Sequence, residues 1–178
     1  MARVLVIFGT SDGHTAKIAA RIGAALTRAG HTARVLKDDD ASCNMGPAGY
    51  DAAIAAGSVN YGRFQKVLTE WIARHAAALN ALPTAFFAVS GQAGDPAGLG
   101  EAEKAFIRPF LTRTGWIPRQ IVHVAGAFPF TTYPWWKRWM MKLILMRGGK
   151  PCDTRVDYEY TDWDRLDRDV AAFAAGLK

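Results

Sequence analysis

Residues Arg3 to Thr15 read RVLVIFGTSDGHT, and the order of that stretch decides the fold. RVLVIF has the pattern of a buried strand, short and apolar. Thr15 to Ala29 then reads as a helix ended by Gly30, a residue suited to a left-handed cap. Between the two lies TSDGHT. A helix start leaves amides without intrahelical partners, and the peptide dipoles favour an anion there. Thr10, Ser11 and Thr15 add hydroxyls, and Gly13 lets the backbone wrap closely with its amides turned inward. The loop lacks the lysine of a Walker loop and the three glycines of a dinucleotide fingerprint, so a phosphate monoester held without a metal fits it better. Asp12 is awkward beside such an anion and is expected to point away and cap the helix through the Thr15 amide. An ordinary cap with nothing bound is the plainer alternative.

Downstream, strand-like and helix-like runs alternate. TARVLK (32–37) is a second strand, followed by the polar loop DDDASCNMGPAG. YDAAIAAGS (50–58) is a third, and Arg63 to Asn80 a helix with Val67, Leu68, Trp71, Ile72 and Leu79 on one face. TAFFAVS (84–90) is the fourth strand and GQAGDPAGLG a long flexible loop. Glu101 to Thr114 is helical, with Pro109 expected to disturb it. QIVHVAGAF (120–128) is a fifth strand; after an insertion RVDYEY (155–160) resumes strand character, and Asp162 to Leu177 closes the chain as a helix N-capped by Asp162. This alternation implies α/β architecture, a parallel sheet with helices on both faces, in one domain spanning 1–178. Ligands of such sheets bind beyond the carboxyl ends of the strands, where the strand order reverses. The loops after the first, third and fourth strands are the places to look.

Composition narrows the partners. A chain of 178 residues, half of them hydrophobic, can bury a sizeable core. Its net charge of +6, from 22 Lys+Arg against 16 Asp+Glu, favours anionic partners. Without a recognition-helix, zinc-finger or RNP pattern, no nucleic acid is expected. Cys43 and Cys152 stand in no metal or redox spacing, so no metal is expected and a reducing compartment is the natural reading. RVLVIFG is too short for a signal peptide, and no apolar run approaches the roughly 20 residues of a spanning helix. A soluble or peripheral protein is expected, and the sequence leaves a homo-oligomer open.

The second loop, GSVNYGRFQK, offers the flat face of Tyr61 among Ser58, Val59, Asn60 and Gly62. The third, SGQAGDPAG, has little side-chain bulk and could lay the amides of Ser90, Gly91, Gln92 and Gly94 along a polar ring edge. A phosphate nest (Thr10, Ser11, Asp12, Gly13, His14, Thr15), one aromatic and a glycine-rich loop would together hold flavin mononucleotide, FMN. At this point the chain resembles the flavodoxins, and the resemblance implies a three-layer sandwich with strand order 2-1-3-4-5. The block from Tyr133 through WWKRWMMKLILMRGG, DTR and YTDW is absent from ordinary flavodoxins and resembles the menaquinone-dependent protoporphyrinogen IX dehydrogenase family. That resemblance implies a long-chain flavodoxin whose fifth strand is split by an inserted helical segment at about 129–154, with Gln120–Phe128 and Arg155–Tyr160 as its halves. It also implies FMN-dependent oxidation of protoporphyrinogen IX in haem biosynthesis, with electrons passed to a membrane quinone. Flavodoxins usually sandwich the flavin ring between two aromatics. The third loop here carries none, so one ring face is expected to be open to a flat substrate; an aromatic from the insertion is the alternative.

The insertion, YPWWKRWMMKLILMR (133–147), holds three of the six tryptophans within five residues. On a helical wheel Trp135, Trp136, Trp139, Met140, Leu143 and Ile144 share one side, and Lys137, Arg138 and Lys142 lie mostly on the other. Tryptophan and lysine at this density suit an anionic membrane surface, in keeping with a cytoplasmic protein bound peripherally to the inner membrane. Packing as core against the sheet edge is the alternative. Arg63, Lys66, Lys137 and Arg138 are candidate counter-charges for substrate carboxylates. No general base stands out: His14, His75 and His123 all read as structural. Two rival functions remain, a flavodoxin-type electron carrier and an NAD(P)H:quinone reductase. Carriers are usually acidic and this chain is basic, and nothing in it reads as a dinucleotide site.

Overall fold

The computed structural model describes residues 1–40, 46–91, 93, 96–147 and 153–177, the side chains of 96–98, 144, 145 and 147 excepted. Cys43, Cys152, Gln92 and Gly94 therefore lie outside the described residues.

Five parallel strands form the sheet, β1 (Arg3–Gly9), β2 (Thr32–Lys37), β3 (Ala52–Ser58), β4 (Thr84–Ser90) and β5 (Gln120–Ala125), in the order β2-β1-β3-β4-β5. Alternation along β1 builds both cores. Val4 and Val6 point to the layer of α1 (His14–Arg28) and α6 (Trp163–Ala175), where Ile18, Ile22, Leu26, Val170 and Phe173 meet Ile54, Phe87 and Val124. Leu5 and Ile7 point to the layer of α2 (Lys66–Asn80), α3 (Pro96–Ala102) and α4 (Arg108–Thr114), packed on Leu68, Trp71, Ile72, Phe86, Phe110 and Trp116. A strand covered on both faces needs an almost continuous apolar run, as RVLVIFG and TAFFAVS are.

Several boundaries differ from the sequence reading. The third strand begins at Ala52, and α2 begins at Lys66, leaving Arg63 in the preceding turn. Val67 is exposed, because the buried stripe of α2 runs through Leu68, Trp71, Ile72 and Leu79. The expected long loop after β4 is already helical from Pro96. Pro109 does not break the helix. A π turn over Glu103–Ile107 widens it just upstream, and Pro109 then falls in the first turn of α4, where a missing N–H is tolerated.

The chain leaves the main sheet at Gly126. Its N–H still donates to the Ser90 carbonyl, but its own carbonyl accepts from the Tyr160 amide. Next come β6 (Ala127–Phe128), α5 (Trp135–Arg147) and β7 (Tyr158–Glu159). Of the expected second half of the fifth strand, Arg155–Tyr160, only Tyr158–Glu159 is a strand. It pairs antiparallel with β6 in a separate ribbon. A small aromatic cluster of Phe130 and Tyr133, with Phe128, Met141 and Tyr158, supports this ribbon. Asp162 caps α6 as expected, accepting from the Arg165 amide at 2.8 Å.

Candidate functional site

The loop after β1 ends on Gly13, the N-cap of α1, in a left-handed conformation (φ 84°) and with no side-chain cap on the helix. Thr10 Oγ1 accepts from the Gly13 amide at 2.9 Å and folds the loop back on itself. Asp12 does not cap the helix. Its carboxylate instead accepts from Lys137 Nζ at 2.9 and 3.1 Å and from the Tyr133 hydroxyl at 3.2 Å. A charge-assisted pair of bonds outcompetes a single amide. The first turn of α1 thus keeps its polarity for something else.

The loop after β3 is a tight reversal. Asn60 and Arg63 exchange both backbone hydrogen bonds, at 2.8 and 3.1 Å, around Tyr61 (φ 49°) and Gly62 (φ 76°). Positive φ at both central positions matches a type I′ turn, in which glycine is at ease and tyrosine is mildly strained. The turn puts the Tyr61 ring at the loop tip, 61% exposed. Gln65 joins this loop to the first one. Its amide nitrogen donates to Ser58 Oγ at 2.8 Å and Ser11 Oγ at 3.2 Å, while its oxygen accepts from the Ser58 amide at 3.3 Å.

The loop after β4 starts at Gly91, which leaves room for the Phe128 ring against its Cα. A Cβ would sit 2.5 Å from Phe128 Cζ. Phe128, from β6 just ahead of the insertion, thus stands beside a loop that carries no aromatic of its own.

These loops enclose a cleft of about 580 Å³ at the carboxyl ends of the strands. Of the residues expected to bind the cofactor, Thr10, Ser11, Asp12, His14, Thr15, Ser58, Val59, Asn60, Tyr61, Gly62, Ser90 and Gly91 line it. Of the residues assigned to substrate or membrane, Lys137 alone does so. Arg63 lies in the turn just outside, and Lys66 is exposed in an i,i+4 pair with Glu70 at 3.7 Å. Sequence reasoning missed Phe106, Phe128, Tyr133, Met140 and Met141 as cleft residues. The aromatic and methionine density around the insertion hinted at all of them but Phe106.

His14 opens α1 and is nearly buried, with Nε2 2.7 Å from Thr161 Oγ1. That hydroxyl donates its proton to the Ala125 carbonyl at 2.6 Å, so it accepts from His14, which fixes the Nε2–H tautomer. Burial pushes the imidazole pKa below its ordinary value; Glu159, 3.7 Å away, opposes the shift in part. His75 is also held down by burial, on α2, and His123 lies on β5, 3.5 Å from Glu103. Neither lines the cleft. Burial, with Asp12 alongside, raises the Tyr133 hydroxyl well above the usual phenol range, so it stays a donor.

The tryptophans of α5 face outward. Trp135 and Trp139 are 77% and 70% exposed, with Trp136, Leu143 and Met146 along the same stripe. The core alternative is therefore not what these side chains do. Two of the three basic residues leave the stripe, and the third, Lys142, stays beside it. Lys137 turns in to Asp12, Arg138 donates to the Thr131 and Tyr133 carbonyls, and Lys142 lies over the Trp139 ring at 5.8 Å. Among the described residues no helix is long and apolar enough to cross a membrane, and no cluster of ligands could hold a metal ion.

A 2-1-3-4-5 sheet with a cleft between the loops after β1, β3 and β4 defines a flavodoxin-type domain. A family profile for the flavodoxin domain matches residues 5–155. Flavodoxin 1 from Bacillus cereus superposes with a TM-score of 0.60 at 14% identity, covering 99% of each chain. Two curated relatives share the name protoporphyrinogen IX dehydrogenase (quinone). The one from Escherichia coli strain K12 is 30% identical over 92% of this chain and 90% of its own length. The one from Leishmania major is 27% identical over 97% of this chain and 75% of its own. The chain belongs to the flavodoxin-domain family, among the protoporphyrinogen IX dehydrogenases (quinone).

Proposed function

We propose that this protein is an FMN-dependent oxidoreductase that oxidises protoporphyrinogen IX and delivers the electrons to a quinone. The observation that carries the reading is the cleft, polar at the α1 end and apolar under the insertion, in a chain 30% identical to the Escherichia coli enzyme over 92% of its length.

The residues present fit FMN. The uncapped α1 amides and the hydroxyls of Thr10, Ser11 and Thr15 form a neutral donor set for a phosphate. Ser58, Val59, Asn60, Tyr61 and Gly62 with Ser90 and Gly91 supply a flat wall and backbone polar groups for a ring. A volume of about 580 Å³ suits a cofactor of this size. Bound FMN would supply the two-electron redox chemistry. The chain's own work is then binding, orientation and exclusion of water. Gln65 holds the first two loops in register, Phe128 on Gly91 fixes the third, and Met140 and Met141 close the apolar side with adaptable thioethers. Arg63, in the turn next to the cleft, and Lys66, one turn of chain further on, are our candidates to meet substrate carboxylates.

The outward tryptophan stripe of α5 supports peripheral attachment to a membrane, on its cytoplasmic face, with the cleft opening beside the lipid that holds the quinone. The whole chain acts as one domain in this reading.

Anaerobic stopped-flow mixing of the flavin-loaded protein with protoporphyrinogen IX tests the activity. Substrate-dependent bleaching, reversed by a quinone, is expected. No bleaching, combined with rapid reduction by a flavodoxin reductase, would identify an electron carrier instead.

A further inference from the structure

We infer that Lys137 is a positioning residue for the phosphate loop. Its ammonium neutralises Asp12 so that the loop can accept a doubly charged phosphate. This rests on the FMN reading above.

Asp12 belongs to the loop that carries Thr10, Ser11 and Thr15, and it lines the same cleft. An ionised carboxylate there opposes any anion that the α1 amides attract. Among the described residues its ion-pair partner is Lys137, which binds both oxygens at 2.9 and 3.1 Å, and Tyr133 completes the set from 3.2 Å. The lysine is well placed for this role. Its side chain is only 12% exposed, and Nζ sits 4.0 Å over the Tyr133 ring. His14, two residues on from Asp12 at the start of α1, provides no substitute charge, because burial favours its neutral form. A lysine from the insertion therefore completes a site otherwise built from the first strand and helix. Lys137 is not available as a counter-charge for substrate while this pair holds.

The experiment titrates full-length flavin-free protein with FMN and with riboflavin, which lacks the phosphate, for wild type, Lys137→Met, Asp12→Asn and the double variant. Lys137→Met should weaken FMN binding by about tenfold or more and leave riboflavin unchanged. The double variant should return FMN affinity to within about threefold of wild type, because the uncompensated carboxylate is gone. Equal losses for both flavins, no loss for either, or a double variant as weak as Lys137→Met would each overturn the inference. If Lys137→Met fails to fold, Asp12→Asn alone decides: FMN binding at least as tight as wild type supports the role, and weaker binding overturns it. A wild type that cannot tell FMN from riboflavin overturns the phosphate site as well. A wild-type preference for FMN that Lys137→Met retains removes only the role of the lysine.

Discussion

His14 Nε2 and Thr161 Oγ1 lie 2.7 Å apart across 147 positions of sequence, joining the start of α1 to the segment that returns from the insertion. The folded state holds this imidazole neutral and below its ordinary pKa of 6.5, chiefly by burial, whereas the unfolded chain takes up the proton at 6.5. The unfolded state thus binds more protons in that range. The stability His14 contributes is complete above pH 6.5 and is lost as the pH falls through the lower folded value. Melting curves from pH 8 to 5 should show a declining midpoint. His14→Gln, which can still donate to Thr161, should flatten part of the decline and leave the share due to His75. An identical pH profile in the variant would exclude His14 as a source.

Gly91 and Phe128 make a second long-range contact. Gly91→Ala places a methyl 2.5 Å from the Phe128 ring, so the ring or the loop must move. Overpacking of this kind costs about 1–3 kcal/mol. Thermal stability and FMN affinity should both fall, and Phe128→Ala added to Gly91→Ala should recover more affinity than the single effects allow. Strict additivity would show that the two residues do not constrain each other.

Thr15 tests the phosphate assignment directly. It is buried at the α1 start and lines the cleft. Thr15→Ala should weaken FMN by roughly 1.5–3 kcal/mol, the range for a hydrogen bond to a charged group. Riboflavin affinity should stay the same. Calorimetric titration with both ligands measures the difference.

The outward stripe of α5 separates membrane contact from folding. Trp135→Ser and Trp139→Ser remove exposed rings, so melting temperature and FMN affinity should barely change. Co-sedimentation with anionic vesicles should drop by at least about tenfold for the pair, given the apolar area each ring can bury. Vesicle binding equal to wild type would remove the stripe as the contact. Charge reversal at Lys137 is a poor probe here, because it also breaks the pair with Asp12.

Much of the scaffold was legible in the residues themselves. TARVLK and TAFFAVS are strands from end to end, and Asp162 caps its helix, because strand alternation and helix capping depend on near neighbours. The turn in TSDGHT belongs to the same class: a strand, a glycine and a helix start specify it locally. Where side chains reach across the fold, only the tertiary structure decided. Asp12 had a nearby amide to cap, yet it turns to Lys137 and Tyr133, 125 and 121 positions away. The wheel of α5 divided tryptophans from cations only in part, since Lys142 lies over the Trp139 ring and Met140 lines the cleft beside Lys137, and it gave no sign of which side meets the protein. The packed side took Lys137 and Arg138, because Asp12 pairs with the first and two backbone carbonyls accept from the second. The Gly91–Phe128 contact and the Gln65 bridge between loops were equally invisible. Periodicity reports which residues share a face. Which face a partner comes to occupy depends on complementary charge and shape brought together by chain crossings far longer than any local pattern.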